Sequence, residues 1–174
     1  MKILIAYASK NGTTQDCVDR LEKALTGLDV TVVNLEEQIP NTTEYDLVIA
    51  GSSVRFARLL SPMRRFIKDQ KEVLKEKKLF LFLLCGIAHE YEYYRNVLFP
   101  KDLLDSALET VYFGGTLRTE GHSFFERCII RSIRSHIMES EIDDGEYTPS
   151  LPGILPENID RLATYVREEL KKEK

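Results

Sequence analysis

The chain alternates short apolar runs with longer segments whose apolar residues recur at every third or fourth position. The first run, Lys2-Ile3-Leu4-Ile5-Ala6-Tyr7, has the length of a strand and the continuous apolar character of one covered on both faces of a parallel sheet. Residues 13–28 then place Val18, Leu21, Ala24, Leu25 and Leu28 on one stripe, which predicts an amphipathic helix. Further strands are predicted at residues 29–35, 46–51, 78–85 and 109–113. Helical spacing separates them. Pro62 stands at a first helical position ahead of Met63, Phe66 and Ile67, and Pro156 opens a last helix with Ile159, Leu162, Ala163, Val166 and Leu170. Strands and helices in this alternation connect by right-handed crossovers, so the expected fold is α/β: three layers, doubly wound, with a parallel sheet between two helical faces.

At 174 residues and 43% hydrophobic content, the prior is one domain over residues 1–174 with a sizeable core. Residues 148–156, with three prolines and a glycine, are expected as a loop into the last helix, not a domain boundary. A net charge of -4 gives no general drive toward nucleic acid. No charged stretch followed by an apolar leader opens the chain and no apolar run is long enough to cross a bilayer, so a cytoplasmic protein is expected. The three cysteines, Cys17, Cys85 and Cys128, are far apart, without metal-ligand spacing, and are expected as reduced thiols.

Candidate chemistry concentrates where the first strand gives way to the first helix, at Ser9-Lys10-Asn11-Gly12-Thr13-Thr14. The first N–H groups of a helix lack intrahelical partners and point at whatever lies above the turn. Gly12 lets the turn bend, and the hydroxyls of Ser9, Thr13 and Thr14 add donors for a phosphate. Ordinary helix capping is the competing explanation, because Ser and Thr are common N-caps and Asn-Gly is a common turn. No G-x-G-x-x-G follows the first strand and no G-x-x-x-x-G-K-[ST] occurs, which argues against a dinucleotide site and a nucleotide-hydrolysing loop. A phospho-accepting receiver needs acidic residues where Ala8-Ser9 and Gly51-Ser52 stand. Ligands of open α/β sheets lie beyond the carboxyl ends of the strands. The loops Gly51-Ser52-Ser53-Val54-Arg55-Phe56-Ala57-Arg58 and Cys85-Gly86-Ile87-Ala88-His89-Glu90-Tyr91-Glu92-Tyr93-Tyr94 are therefore expected to complete the site, with small residues, Phe56 and a cluster of tyrosines suited to a planar ring.

With these residues in view, Ser9-Lys10-Asn11-Gly12-Thr13-Thr14 resembles the phosphate loop of flavodoxins. The segment from Asp46 through Gly51-Ser52-Ser53-Val54-Arg55-Phe56 resembles the corresponding loop of the flavodoxin-type, menaquinone-dependent protoporphyrinogen oxidases, as does Gly114-Gly115-Thr116-Leu117-Arg118 with the aromatic and basic segment after it. The resemblance implies a five-stranded parallel sheet of order 2-1-3-4-5 and FMN as cofactor. It implies phosphate contacts from Ser9, Lys10, Asn11, Gly12, Thr13 and Thr14, and contacts to the flavin ring from Ser52, Ser53, Val54, Arg55, Phe56, Cys85, Gly86, Ile87 and Tyr91. The reaction it implies is flavin-mediated electron transfer from a reduced tetrapyrrole to a quinone, with the chemistry borne by the cofactor and no protein residue as acid or base. Residues 87–94 form a shorter stretch than the oxidases carry there, which favours the alternative of a one-electron carrier serving protein redox partners. A third alternative is an interaction or regulatory module with a decayed flavin site.

Several cations have two explanations each. Arg127, Arg131 and Arg134 recur at helical spacing opposite Phe125, Ile129, Ile133 and Ile137, which suits either a solvated face or a dock for substrate or for the inner face of the membrane. Arg55 is either a surface ion-pair partner or a fixed charge near a reduced flavin, and Arg58 and Arg118 are weaker candidates of the same kind. His89, His122 and His136 have no metal-site or triad spacing and are expected to be structural or exposed.

Overall fold

The computed structural model describes residues 1–86, 88–115 and 153–172. The strands are β1 (Lys2–Ala8), β2 (Asp29–Asn34), β3 (Leu47–Arg55), β4 (Arg58–Leu59), β5 (Lys78–Leu84) and β6 (Glu109–Tyr112). The helices are α1 (Thr13–Ala24), α2 (Ser61–Lys75), α3 (Tyr91–Leu98), α4 (Lys101–Ser106) and α5 (Pro156–Lys171), with short 3-10 turns at Thr42–Glu44 and Ala88–Glu90.

The sheet runs β2-β1-β3-β5-β6, and every pair along that path is parallel. With the two-residue β4 set aside, this is the expected order of a doubly wound five-stranded sheet. Alternation along each strand divides the core in two. Ile3, Ile5, Tyr7, Ile49, Phe80 and Phe82 face α1 and α5, where Val18, Leu21, Ile159, Leu162 and Val166 meet them. Leu4, Ala6, Val48, Ala50, Leu79 and Leu81 face α2 and α4, where Met63, Phe66, Ile67 and Leu103 lie. Because both faces are covered, the strand runs needed to be apolar throughout, which is why they stand out in the sequence.

Gly51 marks the tightest point of the sheet. A Cβ built there would lie 2.3 Å from the carbonyl oxygen of Phe82, so only glycine allows this approach of β3 to β5. The Phe82 ring stacks on Phe113 with centroids 4.6 Å apart.

Three expectations need correction. The helix predicted over residues 13–28 ends at Ala24, capped by Leu25 and followed by Gly27 at a φ of 90°, a left-handed turn that a continuing helix cannot contain. The third strand runs on to Arg55 and does not stop at Gly51. The tyrosine-rich segment after β5, expected as a loop, is a 3-10 turn leading into α3, whose Tyr91, Tyr94 and Leu98 pack against the α2-side core at helical spacing. Among the described residues no helix is long and apolar enough to cross a membrane.

Candidate functional site

The turn after β1 is built to leave donors unpaired. Gly12 is the N-cap of α1 at a φ of 79°. A Cβ there would meet nothing within 4 Å, so the position asks for glycine through its backbone and not through crowding. The Asp16 N–H donates to the Gly12 carbonyl at 2.9 Å, the first turn of the helix. A glycine N-cap has no side chain to offer the N–H groups that follow it, so the capping explanation fails at the residue where it should apply. Thr14 is 1% exposed, Ser9, Asn11 and Thr13 are half-buried, and Lys10 is exposed. The Ser9 hydroxyl is buried and has no hydrogen-bond partner among the described residues. A buried hydroxyl without a partner costs about 1–3 kcal/mol. Beside a helix N-terminus, the arrangement fits a phosphate monoester, whose oxygens would accept from the hydroxyl and the helical N–H groups together.

The next predicted segment is strand, not loop. Ala8 pairs with Ser52 and Ser53 with Leu84, which brings the carboxyl ends of β1, β3 and β5 side by side. Ser52 is fully buried, its hydroxyl donating to the Ser53 carbonyl at 3.1 Å. Val54 packs into the α2-side core. Beyond Arg55 the chain reverses in two residues, and β4 returns with Arg58 opposite Arg55 and Leu59 opposite Val54. Phe56 and Ala57 both adopt left-handed backbone, with φ of 48° and 55°. Two-residue hairpins with both central residues left-handed ordinarily carry Asn-Gly or Asp-Gly. Here an aromatic occupies the first position, 51% exposed, with the Arg55 guanidinium 5.7 Å from its ring centroid.

After β5, Cys85 is buried and both of its backbone groups are engaged. Its N–H donates to the Gly114 carbonyl at 3.0 Å, and its carbonyl accepts from the Tyr112 hydroxyl at 2.8 Å. The Tyr91 hydroxyl donates to the Thr110 carbonyl at 2.8 Å, and its ring stacks on Tyr112 with centroids 4.9 Å apart. Burial pushes the Tyr91 hydroxyl up to about 12 and raises Tyr112 as well, so both stay neutral donors across the physiological range. Tyr91 therefore braces the segment after β5 against β6.

Gly114 and Gly115 close this end of the sheet. Gly114 has a φ of 81°, and a Cβ on it would lie 2.2 Å from the Gly153 carbonyl oxygen, while one on Gly115 would lie 2.4 Å from the Cys85 carbonyl. The Gly115 N–H donates to Gly153 at 3.2 Å, and Gly114 bridges to Ile154. Gly115 and Gly153 thus meet at one point beside Cys85. Ile87, Arg118, Arg127, Arg131, Arg134, His122 and His136 lie outside the described residues. His89 stands on the 3-10 turn with its Nε2 3.7 Å from Glu90. Among the described residues no cluster of His, Cys, Asp and Glu could hold a metal ion.

The structure therefore brings Ser9–Thr14, the end of β3 and the Cys85–Gly86 turn to one edge of the sheet. Two features went unread in the sequence. The paired left-handed residues have no turn signature, since Phe56-Ala57 is the opposite of a typical reversal. The cations of α2, Arg64, Lys68 and Lys71, escaped notice although their spacing of four and three was visible; they rim a groove of about 410 Å³ floored by Leu59, Ile67, Leu98 and Pro100.

Solved structures share this architecture. Oxidised flavodoxin 1 from Bacillus cereus superposes with a TM-score of 0.52 at 16% identity, covering 80% of this chain and 98% of its own. A Fusobacterium nucleatum flavodoxin bound to flavin mononucleotide does so with a TM-score of 0.50 at 14% identity, covering 97% and 98%. The apo form of an NADH:FMN oxidoreductase, EmoB, gives 0.51 at 13% identity, covering 88% and 95%. At such identities these similarities establish the fold alone. No curated protein is significantly similar in sequence. The model of the flavodoxin domain matches residues 4–143, most of the chain, and the protein belongs to that family.

Proposed function

We propose that the protein binds FMN non-covalently and uses it to carry electrons from a reduced tetrapyrrole to a quinone. The observation that carries the cofactor is the buried, unpartnered Ser9 hydroxyl beside the uncapped start of α1. Family membership supports the same cofactor. Ser9, Lys10, Asn11, Gly12, Thr13 and Thr14 would hold the phosphate. Ser52, Ser53, Val54, Arg55 and Phe56, with Cys85, Gly86 and Ile87, would line the ring, and Tyr91 would hold the latter turn in place through Thr110. FMN, when bound, supplies the electron-accepting ring; the chain orients it and sets the charge around it. Visible absorption after reconstitution and desalting tests the cofactor: a retained flavin band is expected, and its absence overturns the reading.

The tetrapyrrole and quinone assignment rests on the resemblance of Ser53-Val54-Arg55-Phe56 and Gly114-Gly115-Thr116-Leu117-Arg118 to the oxidases. Incubating the FMN-loaded protein with protoporphyrinogen and a menaquinone analogue should produce porphyrin fluorescence above the uncatalysed rate. Absence of that signal leaves the second reading, a one-electron carrier, which the shorter sequence stretch at residues 87–94 favours. A reductive titration that pauses at one electron per flavin would support the carrier.

A further inference from the structure

The carboxyl end of β5 is held differently on its two sides. The last pair between β3 and β5 is Ser53 with Leu84; β3 then turns away to pair with β4, while the chain of β6 stays alongside. Past that point the Cys85 N–H donates to the Gly114 carbonyl at 3.0 Å and the Cys85 carbonyl accepts from the Tyr112 hydroxyl at 2.8 Å, so both backbone groups of Cys85 turn toward the β6 side. A trans peptide sets the carbonyl of one residue antiparallel to the N–H of the next, and no peptide bond among the described residues is cis. The Gly86 N–H therefore turns away from β6, into the gap that β3 leaves as it departs. It has no acceptor among the described residues.

Tyr112 is built to fix this orientation. Its ring stacks on Tyr91, and its carbonyl accepts from Nδ2 of Asn158 on α5 at 2.7 Å, so the phenol is anchored at both ends of the residue. A ring held in this way gives up little further freedom when its hydroxyl bonds. Burial raises that hydroxyl, which stays a neutral donor. Gly115 lies against the same peptide: a Cβ there would overlap the Cys85 carbonyl.

We infer that Tyr112 is a positioning residue for the flavin: by holding the Cys85 carbonyl toward β6, its hydroxyl keeps a donor, the Gly86 N–H, facing the ring, and so favours the reduced ring over the oxidised one. The inference rests on the FMN reading above. Reduction adds negative charge to the ring, and a fixed donor aimed at that charge stabilises it, whereas a carbonyl turned to the same place opposes it. Tyr112 acts through the Cys85–Gly86 peptide.

That peptide can be watched alone, because Cys85-Gly86 is the one Cys-Gly pair in the sequence. Protein labelled with carbon-13 at the cysteine carbonyls and nitrogen-15 in glycine gives a single signal in a carbonyl-correlated amide NMR spectrum. Adding FMN to the flavin-free wild type should move the Gly86 proton downfield. Tyr112→Phe, which keeps the stacked ring, should move the Cys85 carbonyl carbon before any flavin is added. In the FMN-loaded protein it should lower the reduced-to-oxidised ratio at a fixed potential about tenfold, about 30 mV for a two-electron couple. Asn158→Ala, which loosens the same anchor from α5, should lower the ratio by less; an unmoved potential there overturns the inference where Tyr112→Phe does not fold. An equal loss of affinity for oxidised and reduced FMN in Tyr112→Phe, with the potential unmoved, overturns it as well. Bound flavin with an unmoved Gly86 amide overturns the inference alone, whereas a wild type that retains no flavin on desalting overturns the cofactor reading, and the inference with it.

Discussion

The Ser9–Thr14 turn and the Phe56–Ala57 hairpin stand at the same edge of the sheet and both require left-handed backbone, yet they meet the requirement in opposite ways. The first uses Gly12, with open space where a side chain would be. The second uses Phe56 and Ala57, each at a φ that costs a non-glycine residue about 1–2 kcal/mol. Where only the backbone N–H groups are wanted, glycine is retained; where an aromatic is wanted at the tip, strain is tolerated. Local strain that a simple substitution would remove is most often kept because the side chain is used.

The largest effect should come from the turn. Ser9→Ala removes a hydroxyl that has no protein partner among the described residues, so thermal stability of the flavin-free protein should stay constant or rise. FMN affinity should fall by about 10–100-fold, the worth of one hydrogen bond to a charged group. Equilibrium dialysis and a melting curve on the same sample check both halves. A drop in stability with unchanged affinity would make Ser9 a structural residue and dissolve the contrast between the two regions.

The hairpin should behave the other way. Replacing Phe56 and Ala57 together by Asn and Gly supplies the residues this reversal prefers and should stabilise the fold by about 1–2 kcal/mol in urea denaturation. The same variant should re-oxidise with altered rates, because the exposed ring and its contact with Arg55 are gone. A variant that is neither more stable nor changed in redox behaviour would show that the left-handed pair carries no strain worth keeping.

These two regions also differ in how far the sequence announces them. The strand–turn–helix start is legible because each of its constraints selects a residue type: apolar residues for a strand buried on both faces, glycine for the left-handed cap, and hydroxyls for the phosphate proposed to bind there. The two-face core, the parallel order and the last helix follow from periodicity in the same way. The hairpin is not legible, because Ser52 to Arg55 combines small, aliphatic and charged residues and the reversal lacks Gly, Asn, Asp or Pro. Its geometry is imposed by pairing Val54 with Leu59 over the α2-side core, a contact that no local pattern records. The helix at Tyr91 was hidden for a related reason: its tyrosines read as ring-binding aromatics until Thr110 and Tyr112 engaged Tyr91.

That brace gives a pH signature. Tyr91 is raised from 10.0 to about 12 by burial, so the folded state keeps the proton where the unfolded chain has lost it. Its contribution is fully present below pH 10 and is lost as pH rises toward 12. Allowing for partial exposure of the ring, the loss is about 1–2 kcal/mol. Denaturation series from pH 9 to 12 should show this decline in the wild type and a shallower one in Tyr91→Phe. Equal slopes would mean that the hydroxyl is solvated in the folded state.

The smallest effect isolates what Gly12 contributes by backbone alone. Ala at this position would meet no atom within 4 Å, so crowding cannot contribute, and the cost should be only the left-handed penalty of about 1 kcal/mol. Because the methyl points into open space, FMN should still bind to Gly12→Ala, weakened only as far as the turn relaxes away from its φ of 79°. Gly12→Asn, which tolerates left-handed backbone, should recover most of the stability. If Gly12→Ala costs several kcal/mol, or if Asn fails to recover it, the turn demands glycine for a contact and not for conformation, and the two regions differ less than their backbones imply.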